Sequence, residues 1–199
     1  MASFIWHDRL KNLPASWRDT RGQSVRVGII DSGILYGHPV LQHQDKPGRK
    51  YDCRLARPTG NDDVSDCRPV GKPHGTSCAS IVAGLSALDN SVEGMAPKVE
   101  VHVFRAVNAF CDPTLEIFMR ALKAAAAADV DILSVSLMPL PDQNIPQAEI
   151  DRVFQSLADK NICLFAALRN TNSWNMLNRV PFPANRPESI SAGVATPAL

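Results

Sequence analysis

The chain has 199 residues, 45% of them hydrophobic, with 21 Lys and Arg against 20 Asp and Glu for a formal net charge of +1. That length suits one domain with one core. The near balance of charge excludes the clustered basic surface that nucleic acid or an anionic membrane requires. No apolar run approaches the about 18 residues of a membrane span, and the opening MASFIWHDRLKNLPASW lacks the charged, apolar and small-residue regions of a signal peptide. A soluble, cytoplasmic protein is expected, with residues 1–24 packing as an N-terminal segment on a domain over 25–199.

Short apolar runs rich in β-branched residues predict five buried strands, at Val25 to Asp31, Val99 to Phe104, Asp131 to Leu137, Ile162 to Ala167 and Ser189 to Val194. Helical patterns lie between them. One covers His74 to Ala87, a second opens with Asp112 as N-cap and Pro113 in its first turn and contains Ala124 to Ala128, and a third covers Pro146 to Lys160. Strands alternating with helices imply parallel pairing through right-handed crossovers. The expected class is therefore α/β, a three-layer sandwich around a mostly parallel central sheet. The polar segment from Lys50 to Lys72 reads as a solvated loop.

Five cysteines, at 53, 67, 78, 111 and 163, show no CxxC and no zinc-ligand spacing. Reduced thiols are expected, with Cys53 and Cys67 as the pair to form under oxidation. No metal site and no cofactor is assigned.

Ligands of open parallel sheets gather at the carboxyl ends of the strands. Asp31 closes the first strand and delivers a carboxylate to that edge, where Asp-Ser-Gly also reads as ordinary turn chemistry. His74, at a helix start, is either a terminal surface residue or, oriented by Asp31, a general base. Asn170 follows the fourth strand and is either a loop residue or a donor to a developing oxyanion.

The segments VRVGIIDSG, HGTSCASIVAG, EGMAPKVEVHVFRAV, DILSVSLMP and LFAALRN occur in the order and approximate spacing of subtilisin-like serine proteases, from about Val25 to Thr196. The resemblance implies a serine endopeptidase with Asp31 and His74 as catalytic residues and Asn170 as the oxyanion donor. It places Gly94 to Pro97 before the next strand, and Ser134, Ser136, Leu137, Met138 and Pro139 along the cleft that binds an extended peptide. The family's Gly-Thr-Ser-x-Ala-x-Pro nucleophile motif is not found in the 29 residues after Asn170. Arg169 replaces a glycine of the oxyanion turn, and Met138 and Pro139 replace glycines of the cleft. No calcium ligand motif is sharp enough to assign.

Three alternatives remain open for the nucleophile. Ser136, at the end of the cleft strand, is the candidate within this chain, ahead of Ser77 and Ser173. A serine can instead come from another segment or partner chain, or the chain binds peptides as a pseudoprotease. Loss of the serine from such a triad costs about 10⁶ in turnover, so the choice decides whether the chain is an enzyme. Size and absence of an export signal resemble those of small proteases that trim leader peptides, such as the one maturing quinohemoprotein amine dehydrogenase, which implies a selective processing role.

Overall fold

A computed structural model describes residues 15–67, 73–85, 93–139, 144–168 and 180–193. Six strands form one sheet: β1 (Arg26–Asp31), β2 (Lys50–Asp52), β3 (Glu100–Arg105), β4 (Ile132–Val135), β5 (Cys163–Ala167) and β6 (Ser189–Ala192). Their spatial order is β2-β3-β1-β4-β5-β6, and every neighbouring pair is parallel. The helices are α1 (Ala15–Thr20), α2 (His74–Ala83), α3 (Leu115–Ala127) and α4 (Gln147–Asp159). The expected three-layer α/β fold is present.

β1 is central because Val27, Ile29 and Ile30 are buried on alternating faces, the pattern of a strand covered on both sides. On one face Ile30, Phe104, Leu133 and Leu164 join Phe118 and Leu122 of α3 and Phe154 and Leu157 of α4. On the other, Val27, Ile29, Val101 and Val103 meet Ala79 and Ala83 of α2. Small residues on α2 let its backbone ride close to the sheet. β1 lies between β3 and β4, and the chain builds β2 and β3 on one side of it before crossing to β4, β5 and β6 on the other. Such a switch point opens a crevice at the carboxyl edge.

Several boundaries differ from expectation for local reasons. Helix α3 starts two residues later, after Thr114, whose Oγ1 accepts from Ile117 N. Asp112 belongs instead to the preceding turn, where its N–H donates to Asn108 Oδ1 and its carbonyl accepts from Asn108 N. Helix α2 ends at Ala83 because Gly84 takes an extended ψ of 132°. Strand β2 was not expected: three residues without an apolar run carry no pattern, yet they pair with Val103 to Arg105. The segment around it is correspondingly less solvated than read, with Asp52, Cys53, Val64 and Asp66 all buried.

The cysteine expectation is also corrected. Cys67 pairs with Cys111, their Cα atoms 5.8 Å apart, while Cys53 is buried and free. Separation along the chain hid the pair. The loop after β2 and the turn after β3 converge because both leave the same edge of the sheet.

Helix α2 begins so near β1 that a Cβ on Gly75 would stand 2.2 Å from the Gly33 carbonyl oxygen and 3.1 Å from the Asp31 carboxylate. Gly75→Ala therefore forces backbone apart and is expected to cost about 2–3 kcal/mol in urea unfolding. Gly37→Ala, with open space around its Cβ, serves as the control and should stay within about 0.5 kcal/mol of the parent. Alkylation of the unfolded chain without reductant should modify Cys53, Cys78 and Cys163 and spare Cys67 and Cys111, as read by peptide mass.

Candidate functional site

Asp31 ends β1 with its side chain 1% exposed. Its Oδ1 accepts from Ser32 N at 2.7 Å and from His74 Nδ1 at 2.7 Å, while Oδ2 is buried without a hydrogen-bond partner. Burying an ionised carboxylate is costly unless charge and N–H groups compensate it. Here one oxygen takes both donors. The imidazole is the cationic partner.

His74 occupies the first position of α2, with its side chain 55% exposed. The bond to Asp31 makes Nδ1 the donor and leaves Nε2 as the basic nitrogen. That bond, followed by the contact with Cys78, raises the His74 pKa from 6.5 to about 10, against a smaller opposing effect of burial. Cys78 Sγ lies 3.9 Å from Nδ1.

The pair is held by a second buried carboxylate. Asp66 Oδ1 accepts from Ser32 Oγ at 2.9 Å, and Oδ2 accepts from Thr76 N at 3.0 Å and Thr76 Oγ1 at 2.7 Å. Ser32 Oγ in turn accepts from Gly75 N at 2.9 Å, and Thr76 Oγ1 accepts from Leu35 N at 3.0 Å. Asp66 thus straps the loop after β1 to the first turn of α2, where free backbone N–H groups and the helix dipole favour negative charge. Cys67 N donates to Ser32 O at 3.1 Å, so the disulfide lies directly beside the strap.

The cleft residues are partly placed. β4 is paired on both sides, with β1 and with β5, so Ser134 is not on the exposed edge that strand addition requires. Backbone outside the ladder begins at Ser136. Ser134 and Ser136 are partly buried, Met138 is exposed and Pro139 is buried. Leu137 packs against the core shared with α3 and α4. Among the described residues the hydrogen bonds of His74 run to Asp31 and Cys78, and none joins it to Ser136. Ser77 is exposed and its hydroxyl donates to Pro73 O. Asn170, Arg169 and Ser173 lie outside the described residues.

Sequence reasoning missed Asp66, Thr76 and Cys78. The last was readable, since i and i+4 share a helix face. Asp66 was not: in sequence it is one of several acids in a polar run.

The family model for subtilases matches residues 22–198. Among curated proteins, the chain is 26% identical over 182 residues to "Intracellular serine protease" of Paenibacillus polymyxa, covering 90% of this chain and 52% of that one. It is 29% identical to "Mycosin-3" of Mycobacterium tuberculosis, covering 81% and 36%. To "Subtilisin DY" of Bacillus licheniformis it is 27% identical, covering 87% and 57%. The chain thus spans about half or less of the length of these three relatives. With an ordered parallel sheet, an Asp–His pair at its carboxyl edge and a family match over nearly the whole sequence, the chain belongs to the subtilase family.

Proposed function

We propose that this chain is a serine endopeptidase of subtilisin type that acts on extended peptides, with selective processing as its role. The observation that carries the proposal is the 2.7 Å bond from a half-exposed His74 to a buried Asp31. Asp31 fixes the tautomer and stabilises the imidazolium, and Nε2 takes the proton of a serine hydroxyl as its oxygen attacks the peptide carbonyl. His74 then returns that proton to the leaving amine as the C–N bond breaks. Water repeats the cycle on the acyl ester. Asn170 donates to the tetrahedral oxyanion, a contribution of about 10²–10³ in turnover for one such donor.

Within this chain Ser136 is the nucleophile we propose, because it stands at the open end of β4, one strand from Asp31. A serine arriving from outside these residues is the second reading, favoured by a different observation. Beyond β4 the described residues leave side chains exposed on the sheet face opposite α3 and α4: Cys163 is exposed, Phe165 is 37% exposed and Ile190 48%. An apolar face of that kind fits a packed element better than water.

The setting is likewise a proposal. Among the described residues no helix is long and apolar enough to cross a membrane. The relative named intracellular supports a cytoplasmic location. The Cys67–Cys111 pair supports an oxidising one. We keep the cytoplasmic reading, to be checked by fractionation of the native host.

A fluorophosphonate probe followed by intact and peptide mass should give one adduct, on Ser136, lost in Ser136→Ala and in His74→Ala. No adduct on the isolated chain, with labelling restored by a serine-bearing segment added in trans, would replace Ser136 with the second reading. No labelling in either case leaves a peptide-binding pseudoprotease.

Because the folded pKa of His74 is raised from 6.5 to about 10, its protonated form stabilises the fold fully below about pH 6.5. That contribution is lost as pH rises toward 10. Urea unfolding should show stability falling across that window, and Asp31→Asn should remove the slope. The base form of His74 appears over the same range, so labelling should accelerate toward alkaline pH. The NMR midpoint of His74 should move down in Asp31→Asn.

A further inference from the structure

We propose that the Cys67–Cys111 disulfide is a reduction-sensitive switch that acts on the Asp31–His74 pair through the Asp66 strap, with a dithiol as its reductant. The loosening of the site stands on geometry. Only its consequence for turnover rests on the peptidase reading.

The disulfide closes a ring around the end of β1. On one side, the turn after β3 starts where Ala106 N donates to Asp31 O at 2.8 Å. On the other, two consecutive residues grip Ser32: Asp66 Oδ1 accepts from its hydroxyl at 2.9 Å, and Cys67 N donates to its carbonyl at 3.1 Å. Ser32 in turn gives its N–H to Asp31 Oδ1 and accepts the Gly75 N–H on its hydroxyl. The sulfur bridge thus ties together the two arms that hold the pair. It joins residues 44 apart in sequence, so cutting it frees a long loop.

A second observation concerns the far end of the bridge. Cys111 has φ 66°, a left-handed backbone that residues with a Cβ enter only at a cost. The turn that holds it there is closed by Asn108, whose carbonyl accepts from Cys111 N and whose Oδ1 accepts from Phe110 N and Asp112 N. Cys67 and Cys111 are both only partly buried, so a reductant can approach without opening the core. Once the bond is cut, Cys111 is free to leave its left-handed conformation, and water competes for the donors that Asp66 holds. The first turn of α2 then loses its fixed distance from β1, and a misplacement of about 1 Å at a reacting group costs about 10² in rate.

Reduction balances as a thiol–disulfide exchange. A thiolate of the dithiol attacks one sulfur, the S–S bond breaks, and the displaced cysteine leaves as a thiolate and takes up a proton. The second thiol of the reductant then attacks its own sulfur in the mixed disulfide and releases the other cysteine. Two electrons and two protons pass to the protein, and the dithiol leaves as its disulfide. Cys53, Cys78 and Cys163 are already free thiols, so a dithiol finds one bond to cut.

The test reduces the folded full-length chain with dithiothreitol, counts the two new thiols by alkylation and mass, and follows amide exchange by NMR before and after reoxidation. Reduction should speed exchange at Thr76 and Cys67 by about tenfold or more while Ile29 and Val103 in the central strands stay protected. The rate of fluorophosphonate labelling should fall by about tenfold or more and return on reoxidation. Cys67→Ser and Cys111→Ser should match the reduced chain and ignore the dithiol. Asp66→Asn, which keeps the bridge, should exchange fast at Thr76 in both redox states. Unchanged exchange at Thr76 and Cys67 after reduction overturns the switch, because the strap then stands without the bridge. Fast exchange spread over Ile29 and Val103 also overturns it, because the bridge then holds the whole fold. A bridge that resists dithiothreitol in the folded chain overturns it as well. Redox-dependent exchange in a chain that never labels overturns the peptidase reading alone. Labelling indifferent to a reduction that loosens Thr76 overturns the consequence for turnover.

Discussion

Burying an ionised carboxylate costs several kcal/mol after relaxation, and Asp31 is buried at the end of the central strand. The surrounding structure is built to compensate for it. Its backbone neighbour Ser32 turns an N–H onto Oδ1, and α2 brings the imidazole to the same oxygen. For α2 to start there, its first turn must lie against the β1 loop, which is why a glycine stands at 75. Gly33, at φ 113°, meets the carbonyls of Val64 and Ser65 so closely that no side chain fits. Two glycines from different segments thus create the close approach that one hydrogen bond requires.

The Asp66 strap makes that approach rigid. A buried carboxylate that accepts from Ser32 Oγ, Thr76 N and Thr76 Oγ1 joins strand loop and helix through one side chain. Networks of this kind strengthen in a low-dielectric interior and are costly when left incomplete. The strap leaves His74 free of structural duty beyond its bond to Asp31. Its side chain remains 55% exposed, as expected of a group that must exchange a proton with something not yet bound.

The central strands were legible in sequence because parallel strands buried on both faces read as apolar runs. Val27 to Ile30 and Val101 to Phe104 carry that signal without ambiguity. β2 did not, since Lys50, Tyr51 and Asp52 gain their strand conformation from pairing with β3 rather than from composition. Asp31 and His74 were legible through strand end, helix start and family motif together. Their hydrogen bond was not, because 43 residues separate them and only the fold sets the distance. The Cys67–Cys111 pair was hidden likewise, across 44 residues. The position of β4 shows the complementary limit. Its pattern announces a strand but not its neighbours, so only the topology shows that Ser134 lies inside the sheet, between β1 and β5.

Coverage of the site and protonation of His74 are physically linked. The hydrogen bond to Asp31, followed by the contact with Cys78, raises the imidazole pKa, and the partial burial of the ring opposes that shift only in part because much of its surface faces water. An element or substrate laid over the exposed side of His74 would remove that water. Desolvation disfavours the imidazolium and brings its pKa down toward neutrality, while the Asp31 bond continues to hold the ring. The occupant that completes the cleft would therefore also release the base that acts on it, and a chain left uncovered would keep His74 charged and quiet.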